Sequence, residues 1–248
     1  MSGRLPVSSG RRMRLLTIIH EADAGPGVFL DALSESGATV DTWVPPEQAQ
    51  APAPAGAYDA ILGFGGSAHP DQHLEYPWLT AEKRFLAQAL GERVPMLGVC
   101  LGAELIAAAE GGAVRRIPTP EIGWYDVTLT SAGLADPVLG PVGPSFSALE
   151  WHSYEAVLPA RATTLASSDS SLQAYRIGGH AWGIQFHAEV TSADFHHWLD
   201  TYPSFDEDAI ESRIDVEAIA AATDERIEAW NDVGRGICAR FLQVASHP

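Results

Sequence analysis

From Arg14 onward the chain alternates short unbroken apolar runs with amphipathic stretches. Arg14 to His20 (RLLTIIH) reads as a buried strand, Gly25 to Gly37 as loop, helix and glycine stop, and Thr39 to Val44 as a second strand. Gln48 to Gly56 (QAQAPAPAG) is a Pro/Ala connection short enough for a surface loop. A third strand is expected over Tyr58 to Phe64, running into Gly65-Gly66. Thr80 to Leu90 has helical spacing with Phe85, Leu86 and Leu90 on one side, Val94 to Val99 is a short apolar strand, and Leu101 to Glu110 is a helix stopped by Gly111-Gly112. Unbroken apolar strands alternating with helices predict an α/β fold: an open, mostly parallel sheet with helices on both faces.

The pattern then changes. Trp124 to Thr130 (WYDVTLT) alternates like a half-exposed strand. Leu172 to Ile177 and Ala181 to Phe186 flank Gly178-Gly179-His180 and read as a hairpin. Antiparallel strands are therefore expected to extend the same sheet. Asp194 to Pro248 reads as helical and acidic, with basic residues near its end at Arg235 and Arg240. Residues 1–13 are expected to be a flexible extension and 14–248 a single domain, its C-terminal helical segment beginning at about 194. Met13 is an alternative start to Met1.

Composition narrows the function classes. The 248 residues are 46% hydrophobic and 19% charged, a globular balance. No apolar run approaches the roughly 20 residues that span a bilayer, and Leu15 to Ile19, behind the arginines at 4, 11, 12 and 14, is too short for a signal core. A net charge of −17 disfavours nucleic acid and anionic membrane surfaces as partners. Two cysteines, Cys100 and Cys238, make no disulfide framework and suit a reducing cytoplasm.

The sharpest chemical signal is Gly98-Val99-Cys100-Leu101-Gly102 between a strand and a helix. This is the spacing of a nucleophile elbow with cysteine in place of serine. A cysteine after a strand is ordinarily a small buried hydrophobe, the reading taken for Cys238. At Cys100 the flanking glycines permit a tight turn, and the following helix points its N–H groups and positive dipole end at the thiol, which favours thiolate. A thiolate needs a base, and the base an orienter. His187 ends an apolar strand and Glu189 follows two residues later, on the same side of an extended segment. Acyl transfer also needs oxyanion donors; the N–H of Leu101 and one from Gly65 or Gly66 are the candidates. His20 could line the sheet's carboxyl edge, but nothing in the sequence pairs it with the cysteine. His69 and His73 have a spacing that would suit a metal yet lie among Pro70 and Asp71 in a loop, so neither metal nor cofactor is expected.

Taken in order, the glycines at 65 and 66, GVCLGAEL at 98 to 105 and WGIQFHAEV at 182 to 190 resemble the class I glutamine amidotransferases. Glu121-Ile122-Gly123-Trp124 is similar to the free-standing branch related to the amidotransferase domain of GMP synthase. The resemblance implies a flavodoxin-like three-layer sheet and a Cys-His-Glu triad of Cys100, His187 and Glu189. It implies attack on the side-chain amide of glutamine, release of ammonia, and hydrolysis of a glutamyl thioester. Leu101, rather than histidine, after the cysteine counts against ThiJ/PfpI-type proteins. Two positions depart from the family pattern: Ala188 replaces a proline, and Glu104 replaces the usual glutamine. Glu104, one helical turn beyond Cys100, and Glu155, near the family's substrate loop, are expected to hold the substrate's ammonium group. The substrate is then glutamine or a γ-glutamyl compound, and the implied partner is a separate synthetase that uses the ammonia. A γ-glutamyl peptide hydrolase acting alone, and a non-catalytic module of the same fold, are the alternatives.

Overall fold

A computed structural model of the protein describes residues 11–202 and 213–247. Most of the expected N-terminal extension and part of the C-terminal segment lie outside the described residues. Strands β1 (Arg14–Ile18), β2 (Thr39–Trp43), β3 (Ala60–Gly63), β4 (Met96–Val99) and β9 (Ala181–Ile184) form a parallel block. The block is extended through β8 (Leu172–Ile177), β7 (Ala162–Ser167), β5 (Ala113–Leu129) and β6 (Ser145–Val157), each antiparallel to its neighbour. The resulting order is β2-β1-β3-β4-β9-β8-β7-β5-β6.

The unbroken apolar runs follow from burial on both faces. Successive side chains of a strand point to opposite sides, so Leu15 and Leu97 enter one core while Leu16 and Met96 enter the other. The first core is closed by α1 (Phe29–Glu35), α5 (Ser192–Thr201) and the long C-terminal α6 (Val216–Ala245), through Phe29, Phe195, Trp230 and Phe241. The second is closed by α2 (Trp78–Gly91) and α3 (Leu101–Ala109), through Leu79, Leu86 and Leu105. A short helix, α4 (Ser131–Leu134), follows β5 and is capped by Thr130, whose side chain accepts from the Gly133 N–H. Asp215 caps α6 in the same way through Ala218, and Cys238 lies fully buried on that helix as a packing residue.

The antiparallel part is larger than the sequence pattern suggests. Strand β6 went unrecognised because its interior carries Glu150, His152, Ser153 and Glu155, all buried, which erase the apolar alternation. The first half of β5 was hidden by Pro118 and Pro120, which sit where the pairing with β6 shifts register between Arg116 and Glu121. Parallel strands bring their carboxyl ends to one edge of a sheet, where α/β sites form. His20, Gly65-Gly66, Cys100 and His187 follow the ends of β1, β3, β4 and β9 respectively.

Candidate active site

Cys100 has φ 51° and ψ −115°, a left-handed conformation that a non-glycine residue rarely adopts. Close packing enforces it. A Cβ on Gly98 would lie 2.5 Å from the Gly102 carbonyl carbon, and one on Gly102 would lie 2.4 Å from the Gly63 carbonyl oxygen. Only glycine allows β3, β4 and the start of α3 to approach so closely. The turn is pinned by the Cys100 N–H to the Ile184 oxygen at 2.9 Å and the Gly102 N–H to the Phe64 oxygen at 3.0 Å.

The His187 Nδ1 lies 2.8 Å from the Glu189 Oε1. A carboxylate there fixes the proton on Nδ1 and leaves Nε2 available to Cys100, which borders the same cleft. Burial opposes a charge on His187, but the Glu189 carboxylate and Cys100 outweigh it and raise its pKa well above the ordinary histidine value. The edge of the ring packs against Trp198, with centroids 5.0 Å apart. The segment is held from outside by α6: Trp230 Nε1 donates to the His187 oxygen at 2.7 Å and Asn231 Nδ2 to the Val190 oxygen at 2.8 Å.

Cys100 and His187 border a cleft of about 550 Å³ together with Leu101, Glu104, Gly66 and aromatic walls from Trp151, Tyr154, Trp198 and Tyr202. Leu101 is the first residue of α3, so its N–H is among those a helix leaves without an internal acceptor. Gly65 lies against the pair as well: a Cβ there would sit 3.2 Å from His187 Cε1 and 3.7 Å from Cys100 Cβ.

The two acidic residues expected to bind substrate part company. Glu104 is 3% exposed and reaches the cleft. Its Oε1 takes a long 3.4 Å hydrogen bond from Gln185, while its Oε2 has no partner. Burial pushes its pKa up to about 7, against the pull of His152 and Gln185. Glu155 does not fit the role. Arg115 donates to its Oε1 at 2.7 Å and the Leu172 N–H to its Oε2 at 2.5 Å. Its carboxylate thus ties β5 and β8 to β6 and is absent from the cleft lining.

Two buried clusters escaped sequence reasoning. His152, on the cleft wall, bonds the Tyr154 oxygen through Nδ1 at 2.8 Å and Glu121 through Nε2 at 2.9 Å, and lies 3.4 Å from Glu150. Although burial opposes its charge, Glu121 and Glu150 raise its pKa to about 10. The potential ligand atoms of Glu121, Glu150 and His152 lie within 4.8 Å of one another, a spacing compatible with a metal. However, Glu121 also accepts from Ser168, Ser171 and Gln173 at 2.7–2.8 Å, so both its oxygens already have donors, and an imidazolium supplies the positive charge. The second cluster joins His20 to Glu82. The buried polar residues in otherwise apolar elements were the signal for both, but the partners are far apart in the chain. His69, in its loop, packs against the Tyr154 ring with centroids 3.7 Å apart and planes tilted by 31°.

The model of the class I glutamine amidotransferase family matches residues 27–201. The glutamine amidotransferase-like protein YfeJ of Salmonella typhimurium is 34% identical over 184 residues, 72% of this chain and 77% of that relative. The chain belongs to the class I glutamine amidotransferase family. The glutamine-hydrolysing GMP synthase subunit of Ignicoccus hospitalis is 34% identical, over 56% of this chain and 71% of its own. A γ-glutamyl-L-1-hydroxyisopropylamide hydrolase of a Pseudomonas species is 31% identical, over 57% of this chain and 50% of that enzyme. A crystal structure of a glutamine amidotransferase from Methylobacillus flagellatus superposes with TM-score 0.82 at 25% identity, covering 94% of each chain. One from Thermotoga maritima superposes with TM-score 0.83 at 24% identity, covering 94% of this chain and all of that one, and shares the fold. No helix among the described residues is long and apolar enough to cross a membrane.

Proposed function

We propose that the protein hydrolyses the γ-amide of glutamine through a glutamyl thioester on Cys100. The observation that carries this reading is His187, which borders one cleft with Cys100 and is held at Nδ1 by the Glu189 carboxylate. The Cys100 thiolate adds to the amide carbon, and the new oxyanion is received by the backbone N–H of Leu101 and one from the Gly65-Gly66 loop. His187, protonated, gives its proton to the departing nitrogen; the C–N bond breaks, ammonia leaves and the thioester remains. His187 then takes a proton from water as that water attacks, releasing glutamate and the thiolate. Glu189 keeps the ring in register and stabilises its charged form. Glu104 meets the substrate's ammonium group, and the ammonia serves a separate synthetase subunit.

A second reading replaces ammonia with a larger amine. Pockets for drug-sized ligands span about 300–1,000 Å³, so a cleft of about 550 Å³ with aromatic walls has room beyond glutamine. A γ-glutamyl amide with an apolar amine part would use that room, and no partner would then be needed.

The purified chain incubated with glutamine and with γ-glutamyl alkylamides tests both readings, with glutamate and the released amine followed together. Ammonia from glutamine, abolished by Cys100→Ser, supports the first; a much higher kcat/KM for the alkylamides supports the second. No turnover of either, with Cys100 unreactive to a glutamine-like electrophile, leaves the non-catalytic module.

A further inference from the structure

His20 and Glu82 form a fully buried pair beside the cleft that the triad chemistry does not use. The His20 Nε2 lies 3.0 Å from both Glu82 oxygens, and its Nδ1 lies 3.0 Å from the Phe64 oxygen and 3.1 Å from the Gly65 oxygen. Trp78 covers the ring face, with centroids 5.3 Å apart and planes at 26°. Carbonyl oxygens only accept, so Nδ1 is a donor; facing a carboxylate, Nε2 is a donor too. The ring is therefore an imidazolium, its charge balanced by Glu82. Burial works against that charge, and Glu82 and the two carbonyls raise the His20 pKa regardless.

The geometry of the peptide unit gives this pair a consequence at the reacting atoms. The Gly65 C=O and the Gly66 N–H belong to one planar trans peptide, so they point in opposite directions. Pinning the carbonyl on His20 turns the Gly66 N–H away from His20. Gly66 borders the cleft with Cys100, wedged so that a Cβ would lie 3.0 Å from His20 Cβ and 3.1 Å from Leu101 Cδ2. One residue on, the Ser67 N–H is fixed to Glu21 Oε1 at 2.9 Å. A glycine pair has the widest choice of backbone conformations of any dipeptide, and without these anchors the peptide could flip and present its carbonyl oxygen to the developing oxyanion.

We propose that the His20–Glu82 pair is a positioning device that holds the Gly65–Gly66 peptide with its N–H aimed at the oxyanion. The inference rests on the reading that this loop serves acyl transfer at Cys100. His20 touches no reacting atom; it acts through the peptide it orients.

The test compares His20→Asn, whose side-chain amide nitrogen can replace Nδ1 as donor, with His20→Leu, which removes it. Because either substitution alone would strand the buried Glu82 carboxylate, each is also made together with Glu82→Leu. Three quantities are read in each: kcat and KM for γ-amide hydrolysis, the rate of Cys100 alkylation by iodoacetamide, and the amide NMR signals of Gly65 and Gly66. Alkylation is a displacement that forms no oxyanion. Loss of one oxyanion donor costs about 10²–10³ in kcat; a donor left mobile should cost about 10–100-fold. The expected result is a kcat loss of that size in the leucine variants with KM and alkylation unchanged, shifted or exchange-broadened glycine signals, and near-normal behaviour in His20→Asn/Glu82→Leu. Leucine variants that keep full kcat, or that lose kcat and alkylation together, would overturn the proposal. If even the wild-type chain hydrolyses no γ-amide, the catalytic reading fails; unperturbed glycine signals in the leucine variants would then overturn the positioning claim as well, and perturbed signals would uphold it.

Discussion

Trp230 Nε1 donates to the backbone oxygen of His187 across 2.7 Å, tying the C-terminal helix to the segment that carries the proposed base. Gly234, one helical turn on, meets the same segment so closely that a Cβ would lie 1.8 Å from the Ala188 oxygen. The C-terminal helix thus sets the height at which His187 and Glu189 stand over Cys100.

Trp230→Phe keeps most of the aromatic packing and removes the donor. A buried carbonyl left unpaired costs about 1–3 kcal/mol, so urea unfolding should show a loss in that range. The kcat for γ-amide hydrolysis should fall several-fold while KM holds, as the imidazole loses its fixed height.

His187→Ala, Glu189→Ala and the double variant report whether the pair works as a unit. Loss of a general base costs about 10²–10⁴-fold, and removing Glu189 should cost less, because it orients the ring without moving a proton. The double variant should be scarcely worse than His187→Ala, since members of one catalytic unit are not additive. Independent, multiplying losses in steady-state kcat would contradict the pairing.

Glu104 gives a pH signature. Its ionised form is the one that can meet an ammonium group, and burial pushes its pKa up to about 7. In wild type, kcat/KM should rise as pH passes through about 7, and in Glu104→Gln that limb should vanish. The same variant should shift the kcat/KM ratio between glutamine and a γ-glutamyl alkylamide. Unchanged kinetics for every substrate in Glu104→Ala would remove this residue from the site.

Much of the site was legible because it depends on local sequence. The elbow declares itself through Gly98 and Gly102, whose missing side chains are a steric requirement, and His187 and Glu189 fall two apart just beyond the end of β9. Glu121 lies 31 residues from His152 and Glu82 lies 62 from His20, and neither separation has a periodic signature. The same polar residues that build the His152 cluster concealed β6 by breaking its apolar alternation. The family resemblance puts Glu155 near a substrate loop, whereas it lies inside β6 with its carboxylate held by Arg115.

The His152 cluster should make stability depend on pH. The folded pKa of His152 is raised from 6.5 to about 10, so its contribution is complete below about pH 6.5 and is lost as pH rises toward about 10. Cys238, pushed from 9.0 to about 12 by burial, erodes stability only above about pH 9. Between pH 7 and 9, denaturant midpoints of the wild type should therefore decline, and those of His152→Gln should decline less. Equal slopes would show that the imidazolium is not the source.

The most direct measurement is intact-protein and peptide mass spectrometry after acid quench during turnover of a γ-glutamyl amide. The expected result is one added glutamyl group on the peptide containing Cys100, released by hydroxylamine, and absent with loss of turnover in Cys100→Ser. A glutamyl adduct on Cys238, or undiminished hydrolysis by Cys100→Ser, would contradict it.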